Sequence, residues 1–261
     1  MGTLLQAPVL QGFLGSLAAG LATGLGALVV FVRPHWGRRG QAILLAGAGG
    51  VMLGATVFSL LLPALEIGAA QAGSPAGGSL IAAGGLLLGA LGIHALHQSV
   101  PHEHFVKGTE GSPRFHLGRN WLFVLAITLH NLPEGMSVGV SYGESAATGV
   151  AVMLAIGAQN VPEGIAVAAA LVDGGATRVR GFALALLSGL VEPVGGLLGA
   201  LAASLSTALL PWALAFAAGA MFFVISGEII PETHRSGTER AATFSLVVGF
   251  ALMPVLDALI G

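Results

Sequence analysis

No cysteine occurs in the 261 residues, so disulfides, thiolate metal sites and cysteine nucleophiles are excluded, and a reducing or an oxidising compartment fits equally well. Charge is nearly as scarce: Asp, Glu, Lys and Arg make up 8% of the chain, against roughly 25% in a typical soluble domain. No Lys or Arg precedes Arg33. A cleaved secretory signal opens on a basic stretch, so the first apolar run is expected to remain as a membrane span. Neither a basic tail nor a basic patch accompanies the net charge of −2, which argues against a nucleic-acid partner. The patterns HExxH and GxxxxGK[ST] are also missing, which removes a zincin-type protease and ATP-driven pumping by this chain.

What is present is apolar. Hydrophobic residues make up 55% of the chain and the mean hydropathy is +0.88. They fall in runs of the length, about 20 residues, that a helix needs to cross hydrocarbon about 30 Å thick. Cuts at the polar and Gly/Pro-rich breaks give eight expected spans, 8–32, 41–68, 79–99, 120–141, 147–172, 181–205, 211–230 and 241–260, in one transmembrane domain covering 1–261. All ten basic residues fall in alternate connections: Arg33, Arg38 and Arg39; Lys107, Arg114 and Arg119; Arg178 and Arg180; Arg235 and Arg240. By the positive-inside rule these connections are cytoplasmic and both termini lie outside, which requires an even number of spans. The expected fold class is an all-α membrane protein. Pairs such as Gly20/Gly24, Gly50/Gly54, Gly85/Gly89 and Gly195/Gly199 have GxxxG spacing, and close helix packing is the plain reading of them.

Three acids break the pattern. Glu134, Glu163 and Glu192 fall near the middles of spans four, five and six, and no Lys or Arg lies in any span to neutralise them. Left unpaired and ionised they carry a gross penalty of roughly 8–10 kcal/mol. Protons, water or bound cations remain as compensators, and each points to an ion pathway. The surroundings sharpen this: His130-Asn131-Leu132-Pro133-Glu134-Gly135 in span four and Gln159-Asn160-Val161-Pro162-Glu163-Gly164 in span five are one pattern written twice. In each copy a ligand-type residue and a Glu four positions later share a helix face. Span six adds Glu192-Pro193. Proline at 133, 162 and 193 withholds the N–H that the carbonyls of Leu129, Ala158 and Gly189 would accept, so helices broken at mid-membrane are expected. One imidazole, three carboxylates and the amides of Asn131, Gln159 and Asn160 form a mixed N/O set suited to Zn²⁺, Cd²⁺, Mn²⁺ or Fe²⁺ without singling one out.

These segments, with Gly189-Leu190-Val191-Glu192-Pro193, Phe58-Ser59-Leu60-Leu61-Leu62-Pro63 and Ile230-Pro231-Glu232-Thr233-His234-Arg235, resemble the ZIP family of divalent metal transporters, in particular its small bacterial members, over nearly the whole chain. The resemblance implies eight spans with both termini outside, a homodimer in the bacterial inner membrane, and a two-metal site formed by spans four and five. It further implies that spans one, four, five and six move as a unit against spans two, three, seven and eight, giving elevator-like alternating access. Carried over by position, it puts His130, Glu134, Gln159 and Glu163 around a first metal, with Met52 on the opposing wall. Asn131, Asn160 and Glu192 surround a second, bridged by Glu134 and Glu163. The chain departs from the family at Gln159, where many relatives have His, and at Asn160, where a close type has Asp, so the second metal has one fewer charge.

The expected function is uptake of divalent metal ions toward the cytoplasm. The metal is cargo, and no resident cofactor is expected. A selective channel and a membrane-embedded metalloenzyme are the alternatives; the enzyme needs a substrate cleft and a general base, for which the spans leave no soluble domain. Among secondary candidates, His102, His104 and His116 lie in the longest cytoplasmic connection, where a solvated loop is the plain reading and metal capture the functional one. His94 and His97 are placed at the cytoplasmic end of span three, where such side chains snorkel to the interface and an exit-path ligand is the alternative. Glu228, Glu232 and His234 are read either as lining the cytoplasmic mouth or as plain capping and interfacial residues, and Glu66 and Asp257 lie toward the outer ends of spans two and eight.

Overall fold

The computed structural model describes residues 2–99, 102–104, 108–110, 119–234 and 237–260. The helices are α1 (Gly2–Ala27), α2 (Gly37–Ala55), α3 (Leu62–Ala72), α4 (Pro75–Ser99), α5 (Arg119–Glu144), α6 (Ala146–Asp173), α7 (Arg178–Gly189), α8 (Glu192–Leu205), α9 (Leu210–Val224), α10 (Ile230–Thr233) and α11 (Glu239–Ile260). Six rods are long and apolar enough to cross a membrane: Ala7–Phe31, Gly37–Ala72, Pro75–Ser99, Ala146–Asp173, Arg178–Leu205 and Thr207–Thr233. These six match six of the segments read from the sequence, with ends displaced by a few residues, and α5 and α11 are helices over the other two. The described part of the longest connection is a short antiparallel hairpin, β1 (His102–His104) with β2 (Gly108–Glu110), in which His102 is opposite Glu110. It leaves the all-α class of the membrane body unchanged. His116 lies outside the described residues.

Two rods contain wide π turns, Thr56–Leu61 between α2 and α3 and Ile225–Ile229 between α9 and α10. Each is followed two residues later by proline, Pro63 or Pro231. Proline has no N–H for the ordinary four-residue bond, and a turn with one extra residue keeps the rod continuous. The expectation of broken helices holds at one proline of three. α5 and α6 run on through Pro133 and Pro162, as membrane helices do when neighbouring groups re-satisfy the backbone. Only 181–205 is interrupted, at Leu190–Val191, where α8 starts afresh with Pro193 in its first turn.

The helices sort into two groups by how closely their backbones approach. In one, α1 packs on α5, α6, α7 and α8, and α5 on α8; in the other, α2 packs on α11 and α4 on α3 and α9. Glycine makes the tightest crossings. A Cβ on Gly139 would lie 2.0 Å from the Gly196 carbonyl oxygen, one on Gly164 2.0 Å from that of Thr23, one on Gly50 2.0 Å from that of Leu246, and one on Gly89 1.9 Å from that of Phe216. Every such glycine-to-backbone approach among the described residues stays inside one group. The groups meet through side chains along α2–α6 and α5–α9. At one end of the bundle His35 Nδ1 pairs with Asp173 Oδ1 at 2.6 Å, and Arg178 donates to the Phe31 carbonyl at 3.2 Å. Arg33, Arg38 and Arg180 share this basic end.

Candidate metal centre

Glycine positions the centre before any ligand does. A Cβ on Gly135 would meet the Glu192 carbonyl oxygen at 2.0 Å, so the absence of a side chain there lets the start of α8 touch α5 one residue beyond Glu134. Gly164, one residue beyond Glu163, gives α1 the same access to α6. The helix break at Leu190–Val191 makes Glu192 the first residue of α8, where free N–H groups and the helix dipole favour a negative side chain.

The residues predicted from the sequence lie in the interior. His130, Asn131, Glu134, Gln159, Asn160, Glu163, Glu192 and Met52 are all buried, His130 being the most exposed at 7%. The amides are tied to one another. Asn160 Nδ2 donates to Glu192 Oε1 at 2.6 Å and to the Ala19 carbonyl at 2.8 Å, while Gln159 Nε2 donates to Asn160 Oδ1. Glu134 lies within reach of the charges of Glu163 and Glu192. Both oxygens of Glu134, one each of Glu163 and Glu192, the Gln159 carbonyl oxygen and both polar atoms of the Asn131 side chain find no hydrogen-bond partner among the described residues. Buried acceptors left in this state are costly in a protein interior unless a donor or cation meets them. No three His, Asp or Glu side chains among the described residues are grouped so as to hold a metal ion, and His130 is turned elsewhere.

It is turned toward Glu228. His130 Nε2 lies 2.8 Å from Glu228 Oε2, and His97 Nδ1 lies 3.0 Å from Glu228 Oε1, all three residues being buried. The Phe223 ring stacks edge-on against His97. Sequence reading placed His97 at the membrane interface and Glu228 at a mouth; the structure makes them a buried chain running from the centre toward the basic end. A Glu in an apolar span with no cation beside it in sequence was the available signal, and its partners lie on other helices. His94 is exposed and contacts Gln98, in keeping with its interfacial reading. Met52, Leu60, Val138, Val152, Ile156, Leu214 and Met221 belong to one buried apolar cluster. Glu66 is exposed, and the side chains of His102, His104 and Asp257 lie outside what the structure describes.

Fold and interior together define a multi-pass helical membrane protein with buried carboxylates, amides and an imidazole among its helices. Residues 93–257 match the family described as ZIP zinc transporter. Zinc transporter GufA of Myxococcus xanthus is 51% identical over 255 residues, which cover 96% of this chain and 99% of that protein. Zinc transporter ZIPB of Bordetella bronchiseptica is 44% identical over 249 residues, 95% of this chain and 81% of its own. Human zinc transporter ZIP11 is 32% identical over 335 aligned residues, 97% of this chain and 98% of its own. The chain belongs to the ZIP family, and its class is that of a transporter rather than an enzyme.

Proposed function

We propose that the protein carries divalent transition-metal ions, Zn²⁺ foremost and Cd²⁺ among others, toward the cytoplasm across a bacterial inner membrane. One observation carries the reading: carboxylate and amide oxygens of α5, α6 and α8 without a hydrogen-bond partner among the described residues are buried in an interior with no Lys or Arg. A dehydrated dication is the compensator that such a set favours. His130, Glu134, Gln159 and Glu163 hold the ion, Met52 stands on the opposing wall, and Asn131, Asn160 and Glu192 complete the far side. Coordination draws His130 away from Glu228, and the spread ligands close on the ion. The relatives named as zinc transporters support zinc as cargo.

In this proposal the chain crosses the bilayer eight times with both termini outside, and it works as a homodimer. The basic end is cytoplasmic by the positive-inside rule. The apolar cluster around Met52, Val152, Ile156 and Met221 seals the outer side, while His130, Glu228 and His97 form a polar way inward. Glu228→Ala is expected to slow Zn²⁺ flux by about 10- to 100-fold, the usual cost of removing a group hydrogen-bonded to a metal ligand, while ion binding at the centre persists. Equal flux in the variant would remove Glu228 from the path.

Movement is by alternation of the two helix groups. Glycine interlocks hold α1, α5, α6, α7 and α8 together, and none joins them to the α2–α11 and α4–α9 pairs among the described residues. A boundary packed by side chains alone is suited to sliding. Ala55 of α2 and Ala155 of α6 meet in one buried cluster across that boundary, and the chain has no native cysteine to interfere. Cysteines placed at these two positions and joined by a short reducible cross-linker are expected to stop flux, which returns on reduction. Undiminished flux in the cross-linked protein would favour a channel.

A further inference from the structure

We infer that the side-chain amide of Asn160 stands in the place of a second cation, so that the centre carries one divalent ion at a time. This rests on the transport reading above and concerns how many ions the centre holds.

The orientation of the amide is settled by its neighbours. The Ala19 carbonyl can only accept a hydrogen bond, so the Asn160 atom 2.8 Å from it is the nitrogen. That nitrogen carries two hydrogens. The second goes to Glu192 Oε1 at 2.6 Å, a charge-assisted bond of the strong kind. The carbonyl oxygen of the same amide accepts from Gln159 Nε2. All hydrogens and the oxygen of the Asn160 side chain are thereby engaged within the protein, and the residue is fully buried.

Two consequences follow. For Asn160 to set its oxygen toward an ion shared with Glu192 Oε1, the amide must turn over. That would set oxygen against the Ala19 carbonyl oxygen and remove the donor from Glu192 in an interior that supplies no replacement. Further, Glu192 already has a positively polarised partner on the side facing Asn160, where a cation bridging these two residues would sit. Aspartate at 160 reverses this. A carboxylate there has no hydrogen to give, faces a carbonyl and another carboxylate, and needs a cation between itself and Glu192. The amide thus separates a centre satisfied by one dication from one that demands two.

The experiment counts ions. Full-length protein in lipid nanodiscs is equilibrated with ⁶⁵Zn²⁺, and the ions lost on Glu163→Gln are taken as those of the centre, which sets aside any held by loop histidines. One ion per chain is expected for the native protein and two for Asn160→Asp. Two ions in the native centre, or one in a folded Asn160→Asp protein, would overturn the inference and leave transport standing. If Asn160→Asp does not fold, Asn160→Ser serves: it removes the amide that fills the gap, and a second, weaker ion is expected in the count, whereas an unchanged count of one refutes the amide's role. A native protein binding no ion that Glu163→Gln abolishes would overturn both this inference and the transport reading.

Discussion

Glu163→Ala is expected to abolish saturable Zn²⁺ flux into proteoliposomes loaded with a metal-sensitive dye, with His104→Ala keeping most of it. Glu163 is buried, one of its oxygens has no hydrogen-bond partner among the described residues, and it lies within reach of the charge on His130. An ion entering the centre gives up its water, and the nearby negative charges are what replace it. In the proposed centre, alanine removes one of those charges and a direct ligand together. The expected fall exceeds about 100-fold, beyond the range typical of groups one step removed from a metal. His104 sits in the β1 strand of the connecting hairpin, far along the chain from the motif pair. Native-like flux in a folded Glu163→Ala protein would place the ion path elsewhere. Absence of flux for Zn²⁺, Cd²⁺, Mn²⁺ and Fe²⁺ in folded native protein would end the transport reading.

Gly164→Val carries the largest expected effect on stability. A Cβ at Gly164 would lie 2.0 Å from the Thr23 carbonyl oxygen, 2.8 Å from its carbon and 3.1 Å from the Ala27 nitrogen. These are backbone atoms of a neighbouring helix and cannot swing aside, so α1 must move away from α6. Overpacking in a filled interior costs about 1–3 kcal/mol, and a collision with backbone falls at or above the top of that range. The displacement also carries the Ala19 carbonyl away from Asn160, so flux falls along with thermal stability. Gly40→Ala is the control, since a Cβ there has only Trp36 near it, at 3.8 Å; its melting temperature in detergent is expected to equal that of the native protein or exceed it slightly, as alanine favours helix. Equal melting for Gly164→Val would mean that the α1–α6 contact contributes nothing.

The legible part of this protein is what is written along single helices. Span positions follow from hydropathy, and four-residue spacing sets His130 with Glu134 on one face of α5 and Gln159 with Glu163 on one face of α6. The GxxxG pairs were legible as packing, and Gly50, Gly89 and Gly195 do sit against neighbouring backbones. What stayed hidden depends on rotation between helices. His97, His130 and Glu228 come from three rods, and no spacing rule along one rod brings them together. The effect of proline was legible in kind but not in place: the same loss of a donor is absorbed at Pro133 and Pro162, becomes a wide turn before Pro63 and Pro231, and coincides with a break only beside Pro193. Whether neighbouring helices can re-satisfy the backbone decides among these outcomes, and one helix read alone does not contain that information.

The contact between Asn160 and Ala19 has a consequence for how this centre can be mapped. The main chain of α1, through the Ala19 carbonyl, holds the amide that partners Glu192. Any residue at position 19 that preserves the helix offers the same carbonyl, so alanine scanning passes over this anchor without a signal. Searches for matching residue types are equally blind to it. Part of the wall round the cargo is thus written in backbone geometry alone, and only a change that shifts the whole helix, as at Gly164, will reveal it.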